Sequence, residues 1–362
     1  MEKSLYFEYV KKFFPSVVTS LVEKLNEKNA KTLPYLYKEL LTPSFSVDGR
    51  WASILAEHSR VAADVVALDS ELPLKTRDSL ETASGDIPKL GMKLYLTEKQ
   101  MKDVDAMIAQ QLPVNQVVTK IFNDLPRCME GVWERIEDMF LSELSTGVGL
   151  STRNNGTGVR VDVGYRDANK FGASVVWNGN EENCTPIDDI NNVFDKALED
   201  GNTITDIWMD DVALRAFYKS KQVRDQFAFD NGVAVKEGTV GVLDFKKASE
   251  VLQSKYGVTL HRVARKIKTE LNGVKNSHNP WQEGMVVFTC DDKIGSLVWT
   301  NTAEATRPVG GVEYQTADNF ILLSKYSKND PLREFTSSQA MVIPIINNVD
   351  RIYTLNSKEV QA

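Results

Sequence analysis

From Val114 to Leu144 apolar residues recur every third or fourth position: Val114, Val117, Val118, Ile121, Phe122, Leu125, Met129, Val132, Trp133, Ile136, Met139, Phe140 and Leu144. That spacing predicts helix with one continuous buried stripe. Straight, it would run roughly 45 Å at about 1.5 Å per residue. A helix of that length is unusual in a globular domain and implies a backbone element of a large subunit. Pro126 and Gly131 predict a kink or break near its middle.

The rest of the chain must be large enough to cover such an element. It has 362 residues, enough for one complex domain or two, with 42% hydrophobic and 26% charged residues, as in ordinary folded proteins. The formal charge of −7 argues against a protein that grips nucleic acid by neutralising phosphates, and is compatible with one that lies near it without gripping. Cys128, Cys184 and Cys290 are too few and too scattered for a disulfide framework and fit a reducing compartment. No apolar run approaches the roughly 20 residues of a membrane span. The opening Met1-Glu2-Lys3-Ser4 carries no secretory pattern, so cytosol-like surroundings are expected. There is no heptad array, repeat or low-complexity tract.

Around the long stripe the chain reads as follows. Residues 4–28 have helical apolar spacing, including Tyr9, Val10, Phe13, Phe14, Val17 and Val18, and Pro15 predicts a break or kink. This segment is either a helix packed on its own core or an arm that docks on a neighbour. Residues 31–50, with Pro34, Pro43 and Gly49, read as an irregular connection. Residues 61–96 read as a projecting strand pair or a surface loop. Val61 to Val66 form the outgoing arm, Lys75 to Ser84 a polar tip, and Ile87 to Leu96 the returning arm. Thr97 and Gln100 fit a capping box, starting a helix that ends near Gln111. Gly147 to Gly158 reads as a flexible linker between subdomains; its glycine spacing does not match a dinucleotide-binding fingerprint.

Beyond it, Thr185 is a good N-cap, Pro186 suits the first helical position, and Gly201 ends the helix. Asp188 and Asp189 would complement its dipole. A strand at Thr203–Met209 and a helix capped by Asp210 or Asp211 follow, a mixed α/β order. Further elements are a helix at Asp244–Lys255 and strands at Val258–Arg262, Met285–Cys290, Ser296–Trp299, Asn319–Tyr326 and Met341–Leu355, with a turn at Asp330-Pro331.

None of this carries an evident reaction. His58, His261 and His278 lack partners at metal-ligand spacing, and no P-loop, nucleophile elbow or EF-hand loop occurs, so no cofactor or metal is implied. Cys128 reads as a small buried hydrophobe rather than a nucleophile. The pairs Asp188-Asp189 and Asp210-Asp211 are explained by helix capping without acid–base chemistry. The basic run from His261 to Lys268 is a solvated face or an intersubunit charge partner rather than a nucleic-acid site.

Three stretches resemble the lambda-type major capsid protein family of tailed bacteriophages, major capsid protein E. The first holds Trp177, Pro186-Ile187-Asp188-Asp189-Ile190, Ile204–Met209, Ala213-Leu214-Arg215-Ala216-Phe217 and Lys219–Val223. The second is Asn329-Asp330-Pro331-Leu332-Arg333-Glu334-Phe335-Thr336 with Met341–Ile346 and Asp350–Leu355. The third is Ala63-Asp64-Val65-Val66, Pro73-Leu74-Lys75 and Ile87-Pro88-Lys89.

The resemblance implies an α+β tailed-phage capsid fold of the Hong Kong 97 type. Its parts would be an N-terminal arm at 1–50, an E-loop hairpin at 51–96 and a peripheral domain with spine helix and linker at 97–158. A mainly axial domain at 159–318 and C-terminal strands at 319–362 returning to the peripheral domain would follow. The implied function is a non-enzymatic major capsid protein assembling into hexamers and pentamers of an icosahedral head. It would enclose double-stranded DNA without sequence-specific binding and without a membrane. A separate scaffolding protein, a portal and a decoration protein are implied partners; assembly would occur in the host cytoplasm and the product would reside in the virion. Lys75, Arg77 and Asp78 at the hairpin tip are expected subunit contacts, with Phe13 and Phe14 on the arm. The rival readings are an encapsulin-like shell around protein cargo and an enzyme using Cys128 or the paired aspartates.

Overall fold

Pro126 decides where the apolar stripe of residues 114–144 is interrupted. In the computed structural model Val114–Ile121 form one helix and Leu125–Thr146 a second of 22 residues. Pro126 sits in the first turn of the second helix, where a missing N–H costs nothing. Gly131 causes no break. The thioether of Met92 lies where its Cβ would be, so glycine here permits close approach rather than a kink. The structure describes residues 2–56, 80–151, 159–232, 243–271 and 273–361, and the chain divides into two units.

The first unit comprises residues 1–51, 84–140 and 296–344. Its sheet runs in the order Leu41–Phe45, Gly295–Thr300, Arg333–Ile346, Ile321–Lys328, Glu313–Ala317, and Lys89–Leu96 also pairs with the 14-residue strand Arg333–Ile346. Leu90, Met92 and Leu94 are half-buried between exposed neighbours, and Leu96 is buried, as the alternation predicts. The helix Glu98–Ala109 opens with the complete capping box of Thr97 and Gln100. The helix Leu125–Thr146 is tied to the sheet by the Ser338 hydroxyl, which donates to the Cys128 carbonyl at 2.7 Å.

The second unit comprises residues 52–83, 141–295 and 345–362. Its sheet has the order Lys170–Ala173, Ile352–Val360, Met285–Thr289, Asp206–Asp210, Thr259–Val263. The outer pairs are parallel and the inner ones antiparallel. Helices Pro186–Glu199, Asp211–Lys219 and Phe245–Tyr256 contribute Ile187, Ile190, Phe217 and Leu252 to a core shared with Trp177, Phe288 and Leu355. All five residues of Met285–Thr289 are buried, as a central strand covered on both faces requires.

Several expectations are corrected. The helix Phe7–Thr32 continues through Pro15, which lies on the exposed side where solvent can take up the carbonyl that loses its donor. Ile87–Leu96 is not the returning arm of a hairpin. Arg50–Ala56 pairs instead with Leu80–Asp86, while Lys89–Leu96 has a register on Glu334–Met341 whose buried neighbours recruit it. The outgoing arm at Val61–Val66 lies outside the described residues.

The stretch after Gly147 is no plain linker, because Val148–Ser151 pairs with Val159–Asp162. Nor do residues 159–318 and 319–362 mark the division of the chain. Residues 296–318 belong to the first unit. The last strand, Ile352–Val360, belongs to the second, because Tyr353 and Leu355 are fully buried in its core. Met341–Leu355 is therefore two strands in two sheets, interrupted by the short 3-10 turn Val349–Arg351.

Candidate assembly surfaces

The groups that could have carried chemistry are committed to the fold. Cys128 is fully buried, its Sγ lies 3.6 Å from the Thr336 carbonyl, and burial pushes its thiol up to about 12. Burial does the same to Cys184, to about 11, and Cys290, to about 12. A thiol held protonated in this way is a poor nucleophile. Among the described residues no group of three His, Cys, Asp or Glu is placed to hold a metal ion, and no helix is long and apolar enough to cross a membrane.

The aspartate pairs divide their work in a way their sequence positions do not announce. Asp210 caps its helix through the Ala213 N–H at 2.9 Å and also accepts from the Gly284 N–H at 3.2 Å. Asp211 pairs with Arg262 at 2.6 Å, and that guanidinium holds its carboxyl below the usual range. Asp188 stays exposed in the first turn, as a dipole partner should. Asp189 does something else. It is buried and accepts from the Ser174 N–H at 2.8 Å, the Ser174 hydroxyl at 2.6 Å and the Trp177 indole at 2.7 Å. Thr185 makes no side-chain cap; the Gln222 side-chain oxygen accepts from the Ile187 N–H at 2.8 Å in its place.

A further buried carboxyl, Glu143, gives a pH signature. One oxygen accepts from the Ile346 N–H at 2.8 Å and the other meets no partner among the described residues. Burial pushes its pKa up to about 8 from 4.5. The folded chain then holds a proton that the unfolded chain releases above 4.5, so this group's contribution to stability falls as pH rises from about 4.5 to about 8. Glu143→Gln should remove that fall and leave the variant more stable than its parent at pH 8–9 by on the order of 4 kcal/mol. The gap should close toward pH 5. Parallel unfolding-versus-pH curves for the two proteins would contradict this.

What remains for association is surface. Phe14 is buried and stacks on Phe122 at 5.6 Å between ring centroids, so this expected subunit contact is spent inside its own unit. Phe13, one position round the helix, is only half-buried. Lys75, Arg77 and Asp78 lie outside the described residues. The described residues on either side of them are firmly held. Trp51 is buried, its ring lies against Gly85 where a Cβ would intrude, and the Ile87 N–H donates to the Gly49 carbonyl at 3.0 Å.

The segment before the first helix is held too. Ser4 donates its hydroxyl to buried Glu334 at 2.6 Å, the Leu5 N–H donates to the same carboxylate at 3.0 Å, and Glu2 bridges Ser327. Beside it a groove of about 760 Å³ exposes Leu5, Tyr95 and Leu332. In the second unit Leu198 and Phe229 are 75% and 79% exposed, too much for large apolar side chains to be core.

The basic run divides as well. His261 meets Asp206 at 2.6 Å and stacks on Trp208 at 4.0 Å; Arg262 pairs with Asp211; Arg265 is buried. Lys266 and Lys268 are left exposed at the start of a separate two-stranded sheet, Ile267–Leu271 with Val274–His278.

The sequence matches the family described as phage major capsid protein E over residues 18–355. No curated protein matches it. Among solved structures, one assigned as a prophage capsid protein of E. coli CFT073 superposes with a TM-score of 0.57 at 13% identity. It covers 94% of this chain and 98% of that one. A phage-related protein of Bordetella bronchiseptica RB50 follows with a TM-score of 0.47 at 10% identity, covering 90% and 92% of the two chains. The mature capsid of bacteriophage PhiM1 gives 0.46 at 9% identity over 88% and 86%. The fold is that of the Hong Kong 97-type phage capsid proteins, with mixed helices and sheets.

Proposed function

We propose how this chain, which belongs to the phage major capsid protein E family and is the major capsid protein of a phage head, closes its shell. It works by association rather than by catalysis, and its place is the virion. The observation that carries this reading is the family match across residues 18–355, nearly the whole chain. The fold alone would not separate a DNA-filled head from a shell around protein cargo, because function does not follow from architecture.

Copies join as hexamers and pentamers of an icosahedral shell around double-stranded DNA. The unit containing residues 141–295 is the axial one, at the centre of each capsomer, and the unit containing the Leu41–Phe45 sheet is peripheral. The paired strands Arg50–Ala56 and Leu80–Asp86 bond to no other described strand, which is what the root of a reaching loop requires. Lys75, Arg77 and Asp78 make salt-sensitive contacts with a neighbour, and Phe13 adds apolar contact from the N-terminal helix. Obligate contacts of this sort bury well over about 2,000 Å² in total. The formal charge of −7 suits a wall that lets packaged DNA leave again. A separate scaffolding protein guides assembly in the host cytoplasm, a portal occupies one vertex, and a decoration protein can seat on the finished lattice.

The test spares the strands that hold the root. Replacing residues 57–79 with a short Gly-Ser turn should abolish particles in negative-stain images while leaving a soluble subunit with an unchanged far-UV spectrum. Normal shells from this variant would refute the bridging role.

A further inference from the structure

The basic run contains a feature that the shell reading leaves without a task. The sheet Ile267–Leu271 with Val274–His278 pairs with no other described strand, and all five residues of its second strand are exposed. Two-stranded sheets are marginal in water unless something covers them. Its register places Lys268 opposite Ser277 and Glu270 opposite Lys275, on one face that Lys266 extends. The other face is anchored through Ile267, which is buried. The first face holds three lysines against one glutamate, in a chain whose formal charge is −7. Lys275 lies 4.0 Å from Glu270, whereas Lys266 and Lys268 form no ion pair among the described residues.

The same unit carries a complementary surface. On the helix Pro186–Glu199 the exposed residues Asp188, Asn192, Asp195 and Glu199 follow one another at helical spacing, an acidic stripe turned to solvent. Lys196, on the same helix, is engaged by Asp200 at 2.6 Å. The stripe from 188 to 199 spans about 16 Å at about 1.5 Å per residue. The lysine face from 266 to 270 spans about 14 Å at about 3.4 Å per residue. Lengths and signs match.

Resting on the shell reading, we propose that the Ile267–His278 hairpin of one copy seats its lysine face on the acidic stripe of the Pro186–Glu199 helix of a second copy. Exposed ion pairs are individually weak and screened by salt. Repeated around a closed ring they become decisive, and they make assembly salt-sensitive.

The experiment is a charge swap in the full chain, scored by sedimentation of particles and by the melting curve of the soluble subunit. K266E/K268E/K275E and D188K/D195K/E199K should each lower particle yield by at least about tenfold, with melting unchanged in the first and lowered in the second only by the small helix-start contribution of Asp188. The six-fold swap, which restores opposite signs, should recover most of it. Wild-type shells together with normal shells from the lysine variant would overturn the contact and leave the shell reading standing. A wild type that never assembles would overturn both. Failure of the combined swap to recover particles would remove the helix as the partner. Normal shells from the lysine variant that no longer retain DNA would assign the face to nucleic acid, and so also overturn the proposal.

Discussion

Asp189→Ala should destabilise the unassembled subunit by about 2–4 kcal/mol in urea unfolding, because it strips the acceptor from the buried Trp177 indole and from both donors of the exposed Ser174. The Ser174 N–H, the Ser174 hydroxyl and the Trp177 indole all end on this carboxylate, and Trp177 is fully buried. Water can reach Ser174, but it cannot replace the acceptor of the Trp177 indole without opening the core around Ile190 and Phe217. Asp188→Ala, one residue away and exposed, is the control. It should cost no more than about 0.5–1 kcal/mol, the worth of a charge at a helix start. Equal losses from the two variants would show that Asp189 is only another dipole partner.

Lys325→Ala should be at least as damaging, by about 3–5 kcal/mol, because it leaves a buried carboxylate without its cation. Lys325 is fully buried; its ammonium donates to the Ile121 carbonyl at 2.7 Å and to the Thr336 hydroxyl at 3.0 Å. Burial pushes it down to about 8, opposed by the field of Glu334, while burial raises Glu334 against the opposing field of Lys325. Each group therefore makes the other's charge tolerable. Removing both charges, in K325M/E334Q, should recover at least half of the loss, since a glutamine oxygen at 334 can still accept from the Leu5 N–H while its amide NH2 donates to the Ser4 hydroxyl. A single substitution costing under about 1 kcal/mol would mean that solvent reaches the pair.

These two positions also mark the limit of what could be read in advance. The helix at Pro186, its end at Gly201, the capping box at Thr97 and the strand at Met285 were all legible, because each rests on residues adjacent in the chain. The interruption of the long stripe was legible too, although Pro126 proved to start a helix rather than kink one. Asp189 was not legible. At a helix start it looks like any dipole partner, and only the approach of Ser174 and Trp177 gives it its bonds. Lys325 offered no signal, since seven of the eight residues of Ile321–Lys328 are buried and no alternation separates its faces. The strand Lys89–Leu96 showed its period correctly, but a period does not name the partner strand.

By itself, then, the sequence determined where the chain turns helical or extended, and which side of each element is apolar. Through its resemblance it also determined the family. It did so because periodicity, caps and turn residues act within a few positions of one another. Tertiary structure alone decided three other things. Lys89–Leu96 and Ile352–Val360 join different sheets, Phe14 is spent on Phe122 while Phe13 stays half-exposed, and the basic run resolves into paired residues and an exposed lysine face. Each of these depends on groups far apart in the chain competing for the same buried space or the same charge, a contest settled only when the chain has closed on itself.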